Sequence, residues 1–128
     1  MKTKTVFVAH PISGDISGNI KKVLAICAEV HSPEIIPVAP YIVSLQYLDD
    51  GVHEDRALGI AANEECIKRG YVDELWLFGD RISEGMQGEI LLAIEYGIPV
   101  VSKADGTKAG LEEFLGPFAS LANAFGTI

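Results

Sequence analysis

Hydrophobic residues fall along this chain in two kinds of pattern, and the two kinds alternate. Short continuous apolar runs, typical of parallel strands covered on both faces, occupy residues 5–9, 35–39, 75–78 and 98–101. Between these runs, apolar residues recur at every third or fourth position, as in helices that pack one face against a sheet. Alternating strands and helices predict an α/β domain with a mostly parallel sheet and right-handed crossovers.

The helical segments are delimited by capping and breaking residues. Ser17 or Asn19 is a suitable cap for the first helix, Gly70 ends the one before the third strand, and Ser83 caps the one after it. The predicted helices cover residues 17–30, 41–48, 54–69, 84–97 and 111–124, with a polar linker at 102–110 before the last. The C-terminal segment, residues 114–128, is apolar enough to pack on a partner subunit.

The position of one proline predicts the strand order. Pro37 lies within the second strand, and a proline is tolerated best at the edge of a sheet. We therefore expect the order 2-1-3-4 in a sheet of roughly four or five strands. The whole chain, residues 1–128, is then a single flavodoxin-like or Rossmann-like three-layer domain. Ligands bind such folds at the switch point, where the loops at 10–18 and 79–85 meet.

The composition of the chain limits the kinds of partner that the protein is expected to bind. The net charge of −8 argues against nucleic acid, which requires a basic face. No apolar run is long enough to span a membrane, and the one at residues 5–9 is too short for a signal peptide. Cys27 and Cys66 have no metal-ligand spacing, so we expect reduced thiols in a cytoplasmic protein. Neither a metal nor an organic cofactor is indicated.

The two loops at the switch point both lead into helices, so both offer free backbone N–H groups to an anion. The residues available for this are Ser13 and Gly14 in the first loop and Arg81, Ser83 and Gly85 in the second. A P-loop and a dinucleotide fingerprint are both absent, which favours a ligand smaller than a dinucleotide. Glycine-rich loops of this kind also occur without any ligand, so both interpretations stay open.

Candidate acid–base chemistry comes from two glutamates. Glu89 follows Gly85 and Gly88 in the same helix, where two glycines are costly unless a ligand approaches the backbone. Glu65 lies beside apolar positions of its own helix. Two carboxyl groups in an apolar cleft can separate their pKa values, as the cleavage of a glycosidic bond requires. The alternative for each is a solvated helix charge. His10 is either an acid or a ligand contact, or neither.

The spacing Ser83-x-Gly85-x-x-x-Glu89, followed by Ala93 and the segment at 97–100, resembles the signature of the nucleoside 2-deoxyribosyltransferase family. That family includes the deoxynucleoside 5′-monophosphate N-glycosidases. The first strand and loop, residues 6–14, resemble the family's opening segment.

The resemblance implies a role for each matching position. Glu89 would attack the anomeric carbon of the sugar, and Glu65 falls where the family places an aspartate that assists the leaving base. The substrate and its 5′-phosphate would contact residues of both loops, namely His10, Ile12, Ser13, Gly14, Arg81, Ser83 and Gly85. Phe7 stands where some relatives have a tyrosine. The resemblance also implies a homodimer or larger oligomer.

These observations predict a small N-glycosidase or deoxyribosyltransferase that acts on a (deoxy)nucleoside or its 5′-monophosphate. The alternative is a module that binds a nucleotide or nucleotide-sugar without turnover. A third possibility is a structural or interaction protein. The sequence selects neither the base nor the sugar.

Overall fold

Strands and helices alternate along residues 2–118, the part of the chain that the structure, a computed structural model, describes. The strands are β1 (Lys4–Ala9), β2 (Ile35–Val38), β3 (Glu74–Leu77) and β4 (Val100–Ser102). The helices are α1 (Ile16–Val30), α2 (Pro40–Ser44), α3 (His53–Lys68), α4 (Glu84–Glu95) and α5 (Asp105–Leu115). A 3-10 turn, Gly116–Phe118, follows α5.

The strands form one all-parallel sheet in the order β2-β1-β3-β4, with helices packed against it. The predicted α/β class and the predicted strand order are both confirmed. Pro37 lies in the edge strand β2, beside Val6 of β1. An edge strand has only one neighbouring strand, so a residue without a backbone N–H is tolerated there. The central strands β1 and β3 align Val6 with Glu74 and Ala9 with Leu77.

The core lies on both faces of β1 and β3. Val6 to Ala9 have no solvent exposure, and neither do Leu75 and Leu77. Such uninterrupted burial is expected of parallel strands covered on both sides. Val23 of α1 and Ile90 of α4 are fully buried against the sheet, which fixes the direction in which each helix leaves its strand.

The helices differ from the sequence prediction in several details, and α2, predicted over residues 41–48, ends at Ser44. Asp15, rather than Ser17 or Asn19, caps α1, because its Oδ1 accepts a hydrogen bond from Gly18 N at 3.1 Å. Asn19 is instead buried, and its Nδ2 donates to the carbonyl oxygen of Ile12 at 2.9 Å. The side chain of Asn19 therefore holds the preceding loop and does not cap the helix.

The predicted linker at 102–110 is wrong, because α5 already begins at Asp105. Thr107 is fully buried, and its hydroxyl donates to the carbonyl oxygen of Leu77 at 3.2 Å. A Cβ on Gly106 would lie 2.4 Å from the carbonyl oxygen of Asp80, so glycine permits this close packing. Polar and small residues that suggest a loop therefore form the contact face of a helix. The part of the predicted last helix beyond residue 118, and most of the apolar segment at 114–128, lie outside the described residues.

No helix within residues 2–118 combines the length and the apolar character that crossing a membrane requires.

Candidate functional site

A cavity of about 510 Å³ opens at the carboxyl edge of the sheet. The loop after β1, the helix α2, one face of α3 and the first turns of α4 enclose it. This is the switch point, because β1 leads to β2 on one side while β3 leads to β4 on the other. The side chains that bear on its chemistry are His10, Ser13, Tyr41, Arg56, Asn63, Arg81, Ser83 and Glu89.

The start of α4 forms one wall of the cavity. Ser83 is the N-cap, and its Oγ accepts a hydrogen bond from Met86 N at 3.3 Å. The N–H groups of Glu84 and Gly85 belong to the first turn and have no acceptor within the helix. A Cβ on Gly85 would meet no atom within 4 Å, so packing within the chain does not explain this glycine. The backbone here is open to a ligand.

Glu89 lies one turn beyond Gly85 on the same wall of the cavity. Burial raises the pKa of its carboxyl from an ordinary value of 4.5 to about 8. Within residues 2–118, no hydrogen bond or ion pair to this carboxyl offsets the loss of hydration. At pH 7, only about one such carboxyl in ten is ionised. Glu89, which is half-buried, is therefore mostly neutral at pH 7, in a recess lined by both apolar and polar side chains.

Tyr41 lies next to Glu89 and comes from α2. Its hydroxyl donates to the carbonyl oxygen of Val8, and its ring packs on Phe7 with 6.1 Å between the ring centroids. Burial, and then the charge of Glu89, raise the pKa of Tyr41 well above its usual range. In the structure it is a core residue that also lines the cavity.

Two arginines flank the cavity. Arg81 links the two loops of the switch point, because its Nη2 lies 3.4 Å from the carbonyl oxygen of Ser13 and its Nη1 lies 3.1 Å from Oδ1 of Asp80. Arg56 reaches the cavity from the first turn of α3. Sequence reasoning missed Arg56, since nothing near it in the chain resembles a binding loop. The positive charges and the free N–H groups of α4 favour an anionic group at the mouth, whereas the carboxylates of Asp50, Asp55 and Glu84, which also line the cavity, oppose one.

Most of the residues predicted from the sequence come together in this cavity. The ones that line it are His10, Ile12, Ser13, Arg81, Ser83, Gly85 and Glu89. Gly14 has a φ of +97° in the same loop but does not line the cavity. His10 Nδ1 lies 2.6 Å from the carbonyl oxygen of Pro11, so this ring is held against its own loop.

Glu65 does not reach the cavity. It is exposed on α3, and its Oε1 lies 3.0 Å from Nε of Arg69. Asn63, two positions earlier on this helix, does line the cavity, because residues two positions apart on a helix point in different directions. Counting along the sequence thus selected the right helix but the wrong face.

Asn63 is the other residue that sequence reasoning missed. It shares one face of α3 with Arg56, Gly59 and Ile60, and all of these line the cavity. The signal was available as helical spacing, since these positions follow the pattern i, i+3, i+4 and i+7. A search for apolar helix faces does not detect this pattern, because Arg56 and Gly59 are two of its positions.

Among residues 2–118, no group of three or more His, Cys, Asp or Glu side chains lies close enough together to hold a metal ion. What the described site offers is hydrogen-bond donors, two arginines and four carboxyl groups, those of Asp50, Asp55, Glu84 and Glu89. Such a combination can bind an anionic, hydroxylated ligand and bring a carboxyl oxygen against it.

A protein-family profile described as "Domain of unknown function (DUF7768)" matches residues 4–103. The match runs from the start of β1 to the end of β4 and includes every cavity residue named above. No curated protein and no solved structure matches the chain. Because the profile covers most of the sequence, the chain belongs to the DUF7768 family.

Proposed function

We propose that this protein cleaves, or transfers a group at, the N-glycosidic bond of a (deoxy)nucleoside or its 5′-monophosphate. The observation that carries the proposal is the carboxyl of Glu89, shielded from water at the switch point and one helical turn from the open N-terminus of α4. The resemblance of the Ser83-to-Glu89 spacing to the nucleoside 2-deoxyribosyltransferases points to the same chemistry.

The substrate is oriented by its 5′ end. A phosphate at the mouth accepts hydrogen bonds from the first turn of α4 and from Arg81, with Ser13 and Arg56 nearby. Glu89 lies about 6 Å further along the helix axis than Gly85. That step matches a sugar ring lying along the wall, with its 5′ group at the helix start and its anomeric carbon at Glu89.

The reaction begins with ionised Glu89. One carboxylate oxygen bonds to the anomeric carbon, and the electron pair of the breaking C–N bond leaves with the base. Water or a second base then displaces the sugar from the enzyme. A carboxylate in a poorly hydrated site gains most when positive charge develops on the sugar, so it stabilises the transition state more than the bound substrate.

The rival proposal is a binding module for a nucleotide or nucleotide-sugar. A protonated carboxyl group can donate a hydrogen bond to a ligand. The raised pKa of Glu89 supports a protonated carboxyl at pH 7. In that case the ligand binds and leaves unchanged.

Two further parts of the proposal concern the protein's setting. Several large apolar side chains are exposed, among them Leu58 of α3 at 60% and Leu91 of α4 at 54%, and they support a homodimer or larger assembly. Sedimentation of a monomer at micromolar concentration would contradict it. The free cysteines Cys27 and Cys66 fit a reducing, cytoplasmic environment.

The test is base release from a panel of nucleosides and 5′-monophosphates, ribo and deoxy, followed by chromatography. The parent protein is compared with Glu89→Gln and with Glu95→Gln, which alters an exposed glutamate on the same helix. We expect release by the parent and by Glu95→Gln, and a loss of roughly a thousandfold or more in Glu89→Gln. Undiminished release by Glu89→Gln would contradict the assignment of the nucleophile. Tight binding without any product would support the binding module.

A further inference from the structure

One polar atom in the cavity wall has no hydrogen-bond partner within the chain. Among the described residues, Asn63 Oδ1 is the only buried side-chain nitrogen or oxygen that lacks a partner. Buried polar groups are almost always paired, and an unpaired acceptor costs stability. Asn63 lines the cavity although this oxygen is itself covered, so a half-turn of the carboxamide would present the oxygen to a donor on a ligand.

The depth of Asn63 in the cavity follows from its helix. Both α3 and α4 begin at the carboxyl edge of the sheet, because each runs back toward the start of the next strand. Arg56 lies in the first turn of α3, at the mouth. Asn63 lies two turns deeper, about 10 Å along the axis. The same face of α3 therefore offers a cation to the outer end of a ligand and a carboxamide to its inner part.

The chemistry of the proposed reaction determines which part of the ligand lies next to Asn63. In a nucleophilic displacement at carbon, the attacking atom and the leaving group lie on opposite sides. Glu89 attacks from the α4 wall, so the leaving base is directed toward the α2 and α3 walls. There Gly59 leaves room for a flat ring, because an added Cβ would meet only Leu48 Cδ1, at 3.8 Å.

We propose that Asn63 is the residue with which this cavity recognises the base, and that it selects bases carrying an amino group beside a ring nitrogen. The amino group donates to the carboxamide oxygen, while the carboxamide N–H donates to the ring nitrogen, a pairing that asparagine makes with adenine. This assignment rests on the proposed function, because the attack by Glu89 sets the side on which the base lies.

The test measures ligand affinity by calorimetry in a Glu89→Gln background, which prevents turnover. Adenosine and cytidine 5′-monophosphates, ribo and deoxy, are each compared with the analogue in which hydrogen replaces the amino group. Ribose 5-phosphate, which has no base, reports on the rest of the cavity. Each ligand is titrated with Asn63 intact and with Asn63→Leu, which keeps the size of the side chain and removes its polar atoms.

We expect at least one amino-bearing nucleotide to bind between about five- and a hundredfold more tightly than its analogue, and Asn63→Leu to bring that ratio close to one. The affinity for ribose 5-phosphate should change less than about twofold, since the carboxamide contacts only the base. An unchanged ratio in Asn63→Leu would overturn the assignment. An equal loss for ribose 5-phosphate would also overturn it, because Asn63 would then hold the sugar or Glu89 instead.

Thermal melting without ligand separates this role from a structural one. Asn63→Leu removes an unpaired acceptor, so its Tm should equal or exceed that of the parent. Asn19→Leu is the matched control, because Asn19 Nδ2 is paired with Ile12 and its loss should lower the Tm. If Asn63→Leu does not fold, Asn63→Ala replaces it in the same titrations. If neither ribose 5-phosphate nor any nucleotide binds, the proposed function fails and this assignment fails with it. If ribose 5-phosphate binds and no base preference depends on Asn63, only this assignment fails.

Discussion

Two glutamates at opposite edges of the sheet differ in burial and in partners: Glu74 is buried, whereas Glu89 is half-buried and lines the cavity. Glu74 begins β3 at the amino edge, where Lys4 Nζ lies 2.5 Å from Oε2 and Trp76 Nε1 donates to Oε1 at 2.8 Å. Lys103 lies over the Trp76 ring, 3.9 Å from its centroid. Glu89, at the cavity, has no such partners within the described residues.

The pKa values of the two carboxyl groups follow from this difference. Burial alone would raise the pKa of Glu74, but the hydrogen bonds from Lys4 and Trp76, with nearby positive charge, outweigh burial and lower it. For Glu89 burial acts alone and raises the pKa to about 8. Partners, rather than burial, thus decide whether the pKa of a carboxyl group is lowered, as for Glu74, or raised, as for Glu89.

The largest test of this comparison is the stability of Glu89→Gln as a function of pH. The pKa of Glu89 is raised in the folded state. Ionisation of Glu89 therefore leaves the free energy of unfolding unchanged below about pH 4.5 and lowers it increasingly between pH 4.5 and about pH 8. Replacing Glu89 removes this effect. Relative to the parent, the variant should gain roughly 4 kcal/mol in unfolding free energy between pH 4.5 and pH 9. Urea unfolding at several pH values measures the gain.

Glu95→Gln is the control for this prediction, since Glu95 is exposed on the same helix. It should change the stability by less than about 0.5 kcal/mol at every pH. A Glu89→Gln variant whose stability relative to the parent does not rise with pH would show that the carboxyl is hydrated after all.

Glu74→Gln should have the opposite sign. The pKa of Glu74 is lowered in the folded state, so its stabilisation is present above the unfolded pKa and is lost as the pH falls through the folded value. At pH 7 the variant should be less stable by about 1–3 kcal/mol, the range for hydrogen bonds to charged groups, and the two curves should converge in acid. Equal stability at pH 7 would mean that the Lys4 pair contributes nothing.

The difference between the two edges also limits what the sequence could predict. The strand order followed from Pro37, and the helix from Ser83 through Glu89 followed from local spacing, because both signals lie within a few neighbouring residues. The cavity residues of α3 were missed since they belong to the site only through helix packing. Whether a glutamate is paired depends on residues far away in the chain, as for Glu74 and Lys4.

The misassigned α5 has the same physical cause. Asp105, Gly106 and Thr107 resemble a loop in composition, yet the buried hydroxyl of Thr107 and the contact of Gly106 with Asp80 hold the start of α5 against the sheet. Local propensity is a weak guide where tertiary contacts decide the outcome. Glu65 shows the complementary error, since a count of residues does not determine which face of a helix points inward.

A smaller effect concerns the pH dependence of base release. If ionised Glu89 is the attacking group, kcat/KM should rise about tenfold for each pH unit below the pKa and level off near pH 8. Between pH 6 and pH 7 this is a nearly tenfold increase. Initial rates at low substrate concentration measure it. A rate that falls through the same range would indicate that protonated Glu89 donates a proton instead, and the attacking group would have to be reassigned.

The smallest effect on stability is expected from replacing Lys4, the more exposed member of the Lys4–Glu74 ion pair. Lys4 is 50% exposed at its side chain, whereas Glu74 is 11% exposed. When Lys4 is replaced by methionine, Glu74 keeps its hydrogen bond from Trp76, so the carboxylate is not left without a partner. Lys4→Met should therefore cost less than about 1 kcal/mol at pH 7, well below the cost of Glu74→Gln. Added salt should reduce even this difference, because a half-exposed pair is screened. A larger loss for Lys4→Met than for Glu74→Gln, in urea unfolding at low salt, would mean that Lys4 and not Trp76 holds the Glu74 carboxylate in its charged form.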